Sequence, residues 1–188
     1  MNQKHQVGGS DKDFIAIKSG QKNHESYGLP SAKDYSTELL DEAPEVLVGM
    51  KSLENALKKA DELLLRGQEW RLVKTPHETV IIDRRCLRHV FIKRGQQREK
   101  FINWIIPTLT DPNEIWLTEY EDGFRRHFIK FFKGKKNMLV IARENKDGSF
   151  LWNAIPTSRI DYIDGRRKGR LLYKKRGLRE AGPKWLGI

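Results

Sequence analysis

The sequence holds one cysteine, Cys86, among 188 residues. A lone cysteine excludes an intrachain disulfide and a zinc site built from several thiolates. It suits a chain made for a reducing cytosol, and the cytoplasm is the location expected. No apolar run approaches the ~20 residues of a membrane span, so no membrane partner is expected. The opening Met1-Asn2-Gln3-Lys4-His5 leads into Gly, Ser and Asp, which does not read as a secretory leader. Also missing are a Gly-rich phosphate loop, a Cys/His metal array, a His-Glu-x-x-His and a Gly-x-Ser-x-Gly. The carboxylates are scattered, without the acidic triplets of a two-metal site. No metal and no cofactor is therefore expected, and an enzyme of this composition acting on a phosphodiester would work without a metal ion.

What the chain does have is positive charge, and it is unevenly placed. Residues 1–48 hold 5 basic and 8 acidic side chains, whereas residues 49–188 hold 31 basic and 17 acidic. A field of that sign attracts polyanions, nucleic acid above all, although a basic solvated surface is the plainer reading. Apolar residues make up only 38%, but five Trp, five Tyr and eight Phe carry enough apolar area for one core.

The pattern divides the chain into a flexible polar arm at 1–45, an α+β domain at 46–158 and a basic, aromatic-containing tail at 159–188. The arm is rich in Gly, Ser, Asn, Gln and Lys, with only short apolar fragments, and suits a segment that orders on a partner. From Val46 to Leu64 apolar residues recur at helical spacing, and Arg66-Gly67 stops the helix. Two strands flank Thr75-Pro76-His77-Glu78. Asp83 is the N-cap of a basic helix from Arg84 to about Arg94, and a second helix carries Phe101, Ile105 and Leu109 on one face. Four strands follow, near 114–120, 126–132, 138–143 and 150–155, with a hairpin turn at Lys146-Asp147-Gly148. The expected architecture is N-terminal helices packed on a four-stranded antiparallel sheet. In the tail, Tyr162, Tyr173 and Trp185 are interleaved with 10 basic residues. These rings either stack on bases or pin the tail to the domain.

RNA cleavage without metal is chemically accessible, because the ribose 2′-hydroxyl is a nucleophile already close to phosphorus. The protein must supply an acid and base, and cations for the phosphorane charge. His89 is the candidate for proton transfer. On a helix Arg85, His89 and Lys93 share one face at i, i+4 spacing, which makes a sensible phosphate site. A structural histidine on a basic helix is the plainer alternative. Strand alternation puts Arg126, Phe128 and Lys130 on one face, either a cleft face or a solvent face. Thr157 and Ser158 close the last strand, where hydroxyls hold a phosphate or cap a turn. Tyr120 at the first hairpin either donates a proton, stacks on a base or is a plain surface residue.

The order of these elements resembles the phage-associated barnase–EndoU–colicin–RelE-like nucleases. The likeness spans roughly residues 69–158. It runs through the strand with Thr75-Pro76, the helix with His89 and Lys93, Asp111-Pro112 before Glu114-Ile115-Trp116, the strand ending Phe128-Ile129-Lys130, and a last strand closing at Thr157. The resemblance implies a metal-independent endoribonuclease of phage, prophage or toxin type that leaves a 2′,3′-cyclic phosphate. It implies His89 as acid/base, Lys93 and Lys130 as phosphate-binding groups, and Thr157 as a terminal-strand hydroxyl. Arg94, Tyr120 and Arg126 are second choices, beside Arg85 and Ser158. RNA is the implied partner, with tRNA the target class, together with an acidic immunity or antitoxin protein that would cover the basic cleft. Two rival readings need less. One is a non-catalytic nucleic-acid-binding phage protein for packaging or regulation. The other is an inhibitor of a host factor that binds through its arm.

Overall fold

Seven short strands, the central ones buried on both faces, build one mixed sheet in the computed structural model, which describes residues 15–92, 97–134 and 136–178. The strands are β1 (Trp70–Lys74), β2 (Thr79–Asp83), β3 (Glu114–Tyr120), β4 (Gly123–Phe131), β5 (Asn137–Asn145), β6 (Gly148–Thr157) and β7 (Arg170–Lys174). Their order across the sheet is β1-β2-β6-β5-β4-β3-β7. The expected antiparallel meander is its centre, β3 to β6. The sheet is wider than four strands for two reasons. β2 joins β6 in parallel through only Val80–Ser149 and Ile81–Phe150, a pairing no local pattern encodes. The tail contributes β7, which pairs antiparallel with β3.

The α-helices are α1 (Leu53–Ala60), α2 (Arg84–Phe91), α3 (Ile105–Thr110) and α4 (Ile160–Arg166). α1 starts later than the apolar spacing suggests, because Ser52 Oγ accepts from the Asn55 N–H and caps it there. It runs on into one wider turn at Asp61–Leu65, which Arg66 ends in a left-handed conformation. Asp83 caps α2 as expected, accepting from the Arg85 N–H. The second predicted helix is broken. A 3-10 segment at Arg98–Trp104 departs from helical geometry at Phe101, and α3 restarts at Ile105. Pro107 explains the restart, because proline is tolerated only in a first turn.

Helices α1 to α3 cover one face of the sheet. Leu64, Leu87, Phe91, Ile105, Phe128 and Val140 belong to that core. The opposite face carries a second core of Leu29, Tyr35, Trp116, Ile129, Leu139 and Ile163, covered by α4 and the N-terminal segment. Residues 15–40, the greater part of the segment expected to be a loose arm, lie along this face, and Ala43 turns to the first core. Tyr35 is buried there, and Ile17 and Asn23 bridge to Tyr120 and Lys168. A buried ion pair fastens the layer. The Arg167 guanidinium donates two hydrogen bonds to the Glu114 carboxylate, at 2.8 and 2.7 Å, while Tyr35 and Trp116 donate to the same carboxylate. Arg167 also donates to the Pro30 carbonyl and to Asp164, which in turn accepts from Ser31. No described helix is long and apolar enough to cross a membrane.

Candidate active site

The second face is covered only in part. The N-terminal segment and α4 lie against β3, β4 and β5. Beyond their edge, register across the sheet sets Arg125 of β4 beside Arg143 of β5, and Arg143 beside Phe150 of β6. A β-bulge then re-aims β6. Ile141 pairs with Asn153 and Ala142 with Leu151, so Trp152 is an extra residue between them. Asn153, opposite Ile141, and Trp152 both belong to the second face, and a bulge of this kind is a common device beside active sites.

His89 comes to this place from α2. Leu87, Val90 and Phe91 bury one side of that helix in the first core. α2 then flanks β6 beyond the short stretch where β2 pairs with it. The half-buried imidazole lies on the Trp152 indole, with ring centroids 4.6 Å apart and planes 35° apart. The Arg143 guanidinium is 5.0 Å from the same indole. From there a chain of contacts runs round the face. Arg98 donates to Asn153 Oδ1. Burial pulls the Arg98 guanidinium below its ordinary pKa, and the Tyr162 phenol opposes that shift. The Arg166 guanidinium lies 4.8 Å from the Tyr162 ring and donates to the Tyr120 hydroxyl at 3.0 Å. Arg125 stacks on the Tyr120 ring at 4.0 Å. Asp122 closes the circuit by pairing with both Arg125 and Arg143 at 3.0 Å. Four arginines and three aromatic rings thus share one region with a single half-buried imidazole.

Below it, His127 is fully buried. The Arg166 carbonyl, 2.8 Å from Nδ1, can only accept, so Nδ1 carries the proton. Nε2 then accepts from the Tyr120 hydroxyl at 2.8 Å. Burial drives the His127 pKa down to about 3, with the backbone hydrogen bond to Arg166 opposing it and the Arg166 and Arg125 charges adding to it. This neutral pair anchors α4 to the sheet and holds Arg166 in position.

The residues singled out from sequence fall in different places. His89 and Tyr120 reach the second face, Tyr120 as a buried support. Arg85 is exposed at the start of α2, where its guanidinium meets Asp83 at 2.6 Å. Arg126 and Lys130 do share a face with Phe128, but it is the first face. Arg126 pairs there with Glu78 and Glu144. Lys130 is 2% exposed and donates to Asp41 at 2.6 Å and to Asp111 at 2.9 Å. Thr157 Oγ1 accepts from the Arg159 N–H, which caps the turn after β6. Ser158 is exposed. Lys93 and Arg94 lie outside the described residues. Arg98, Arg143, Trp152 and Arg166 were not found from sequence. Arg143 was within reach, because alternation with Leu139 and Ile141 puts it on their face. Trp152 was not, because a bulge leaves no local signature.

Residues 55–174, well over half of the chain, match the family model described as phage-Barnase-EndoU-ColicinE5/D-RelE like nuclease2. Among curated proteins and among solved structures nothing matches.

Proposed function

The chain belongs to the phage-Barnase-EndoU-ColicinE5/D-RelE like nuclease family, and on that premise we propose that it is an endoribonuclease that cuts RNA without a metal ion. The supporting observation is the His89 imidazole, stacked on Trp152 beside Arg143 and a short contact chain away from Arg98 and Arg166. In this reading His89 takes the proton from the ribose 2′-hydroxyl as that oxygen bonds to phosphorus. The arginines stabilise the charge that grows on the non-bridging oxygens. The 5′-oxygen leaves with a proton from water, and a 2′,3′-cyclic phosphate remains. Arg98, Arg143 and Arg166 take the charge-stabilising role that the resemblance gave to Lys130. Lys93, outside the described residues, keeps the phosphate-binding role that the resemblance implies.

The target class proposed is tRNA, the setting a bacterial cytoplasm entered with or after a phage, and the partner an acidic immunity protein that covers the cations. The test is incubation of the purified chain with total tRNA in EDTA, with the product ends mapped. Discrete fragments ending in cyclic phosphate are expected, and His89→Ala should slow their formation by at least about a hundredfold. RNA that stays intact but shifts on a gel would move the chain to the binding proteins.

A further inference from the structure

The second face has an apolar part that neither the N-terminal segment nor α4 reaches. Trp70 and Leu72 alternate on β1 with Val73, which belongs to the first core, so both point to the second face. Each is 55% exposed. Leu72 pairs with Ile81, Ile81 with Phe150, and Phe150 with Arg143. The row therefore runs without a break from the sheet edge to the guanidinium that lies on Trp152. Phe150 and Ile81 are half-buried, so their outer surfaces are open. Leu72 is two strand spacings, about 10 Å, from Phe150, and Trp70 stands two residues along β1 from Leu72 on the same face, which puts the two rings on one shelf.

We propose that this shelf is a stacking subsite for single-stranded RNA, on which bases flanking the cleaved phosphodiester rest on Phe150 and Trp70. It rests on the nuclease reading for the identity of the strand, but not for its chemistry of binding. Aromatic rings presented side by side from a sheet take unpaired bases, since every base has a face to stack. The charges fit a phosphate backbone. Lys74 continues the Trp70–Leu72 side of β1, and Arg88 is exposed on α2. Neither makes an ion pair among the described residues. Asp83, the cross-strand partner of Trp70, is already bound by Arg85. A paired helix cannot offer its base faces, so duplex RNA gains nothing from the shelf.

The experiment is a titration of a fluorescein-labelled 2′-O-methyl oligoribonucleotide, which lacks the nucleophile and stays whole. Single-stranded and duplex forms are compared on the full chain, Trp70→Ala and Trp70→Phe. Trp70 is exposed on an edge strand, so these variants should fold, and circular dichroism checks it. The expected result is roughly tenfold weaker binding of the single strand by Trp70→Ala, near-native binding by Trp70→Phe, and no change for the duplex. Equal single-strand affinity in all three proteins overturns the subsite and leaves Trp70 and Leu72 to a protein partner. A chain that binds in this Trp70-dependent way but cuts no natural RNA keeps the subsite and sinks the nuclease reading.

Discussion

His127 and Lys130 sit three residues apart on one strand and solve the problem of a buried polar group in opposite ways. Lys130 remains in the protein interior by donating hydrogen bonds to Asp41 and Asp111. His127 remains there by being neutral, one nitrogen donating and the other accepting. The second solution has a pH signature. The unfolded chain protonates this imidazole near pH 6.5, while the folded chain resists down to about 3. The unfolded state therefore binds the extra proton first, and stability falls as pH drops through that window. His24 is shifted the same way, chiefly by burial. Asp41 and Asp164, held below the usual carboxylate range, add to the loss only below their unfolded value of 3.8. Denaturant unfolding followed from pH 7 to 4 should show a decline to which His127 contributes about 1.4 kcal/mol per pH unit, an order-of-magnitude figure. In His127→Gln that decline should be much shallower, although the variant is less stable throughout.

Single elements of this fold hang on single residues, and β7 is the clearest case. Gly169, just before β7, has φ 101°, and a Cβ there would lie 2.0 Å from the Leu117 carbonyl oxygen. The backbone of this segment lies so close to β3 that no side chain fits, and the Tyr27 hydroxyl and the Lys22 carbonyl hold it there. Gly169→Ala should cost ~3 kcal/mol or more, seen as a lower thermal midpoint together with faster hydrogen exchange in β7 than in β5. The sequence announces the neighbouring elements far better than this one. Asp83 as a cap, Gly148 in a hairpin and the alternation of Arg126, Phe128 and Lys130 along β4 are local signals, and the structure follows them. The parallel contact of β2 with β6 depends on residues some seventy positions apart. The bulge at Trp152 depends on the register of a partner strand. Both bear on the candidate site, which is why only His89, Tyr120 and Tyr162 of its neighbourhood were legible beforehand.

At the scale of the whole molecule the two flanks behave as one layer. Ser31 meets Asp164, the Pro30 carbonyl meets Arg167 and Asn23 bridges to Lys168. The family match at 55–174 leaves out residues 15–45, yet Leu29, Tyr35 and Leu40 complete the second core. A protein cut to the matched residues would expose Trp116, Ile129 and Leu139. At ~2 kcal/mol for each buried apolar side chain left in water, the loss is comparable to a whole domain's stability. Such a fragment should be recovered as aggregate, or show no cooperative thermal transition, whereas the full chain should melt cooperatively. The composition concealed this role, because a polar segment with a few well-placed rings looks like a loose one. The same layer sets a timetable. A ribosome releases Ser31 long before Asp164, which is 133 positions later. Throughout that interval Ser31 and Pro30 have no Asp164 or Arg167 to fasten to, and Arg166 is not yet there to meet Tyr120. Under the proposed reading, the nascent chain would become a competent nuclease only after α4 has docked on the earlier-made segment around Ser31.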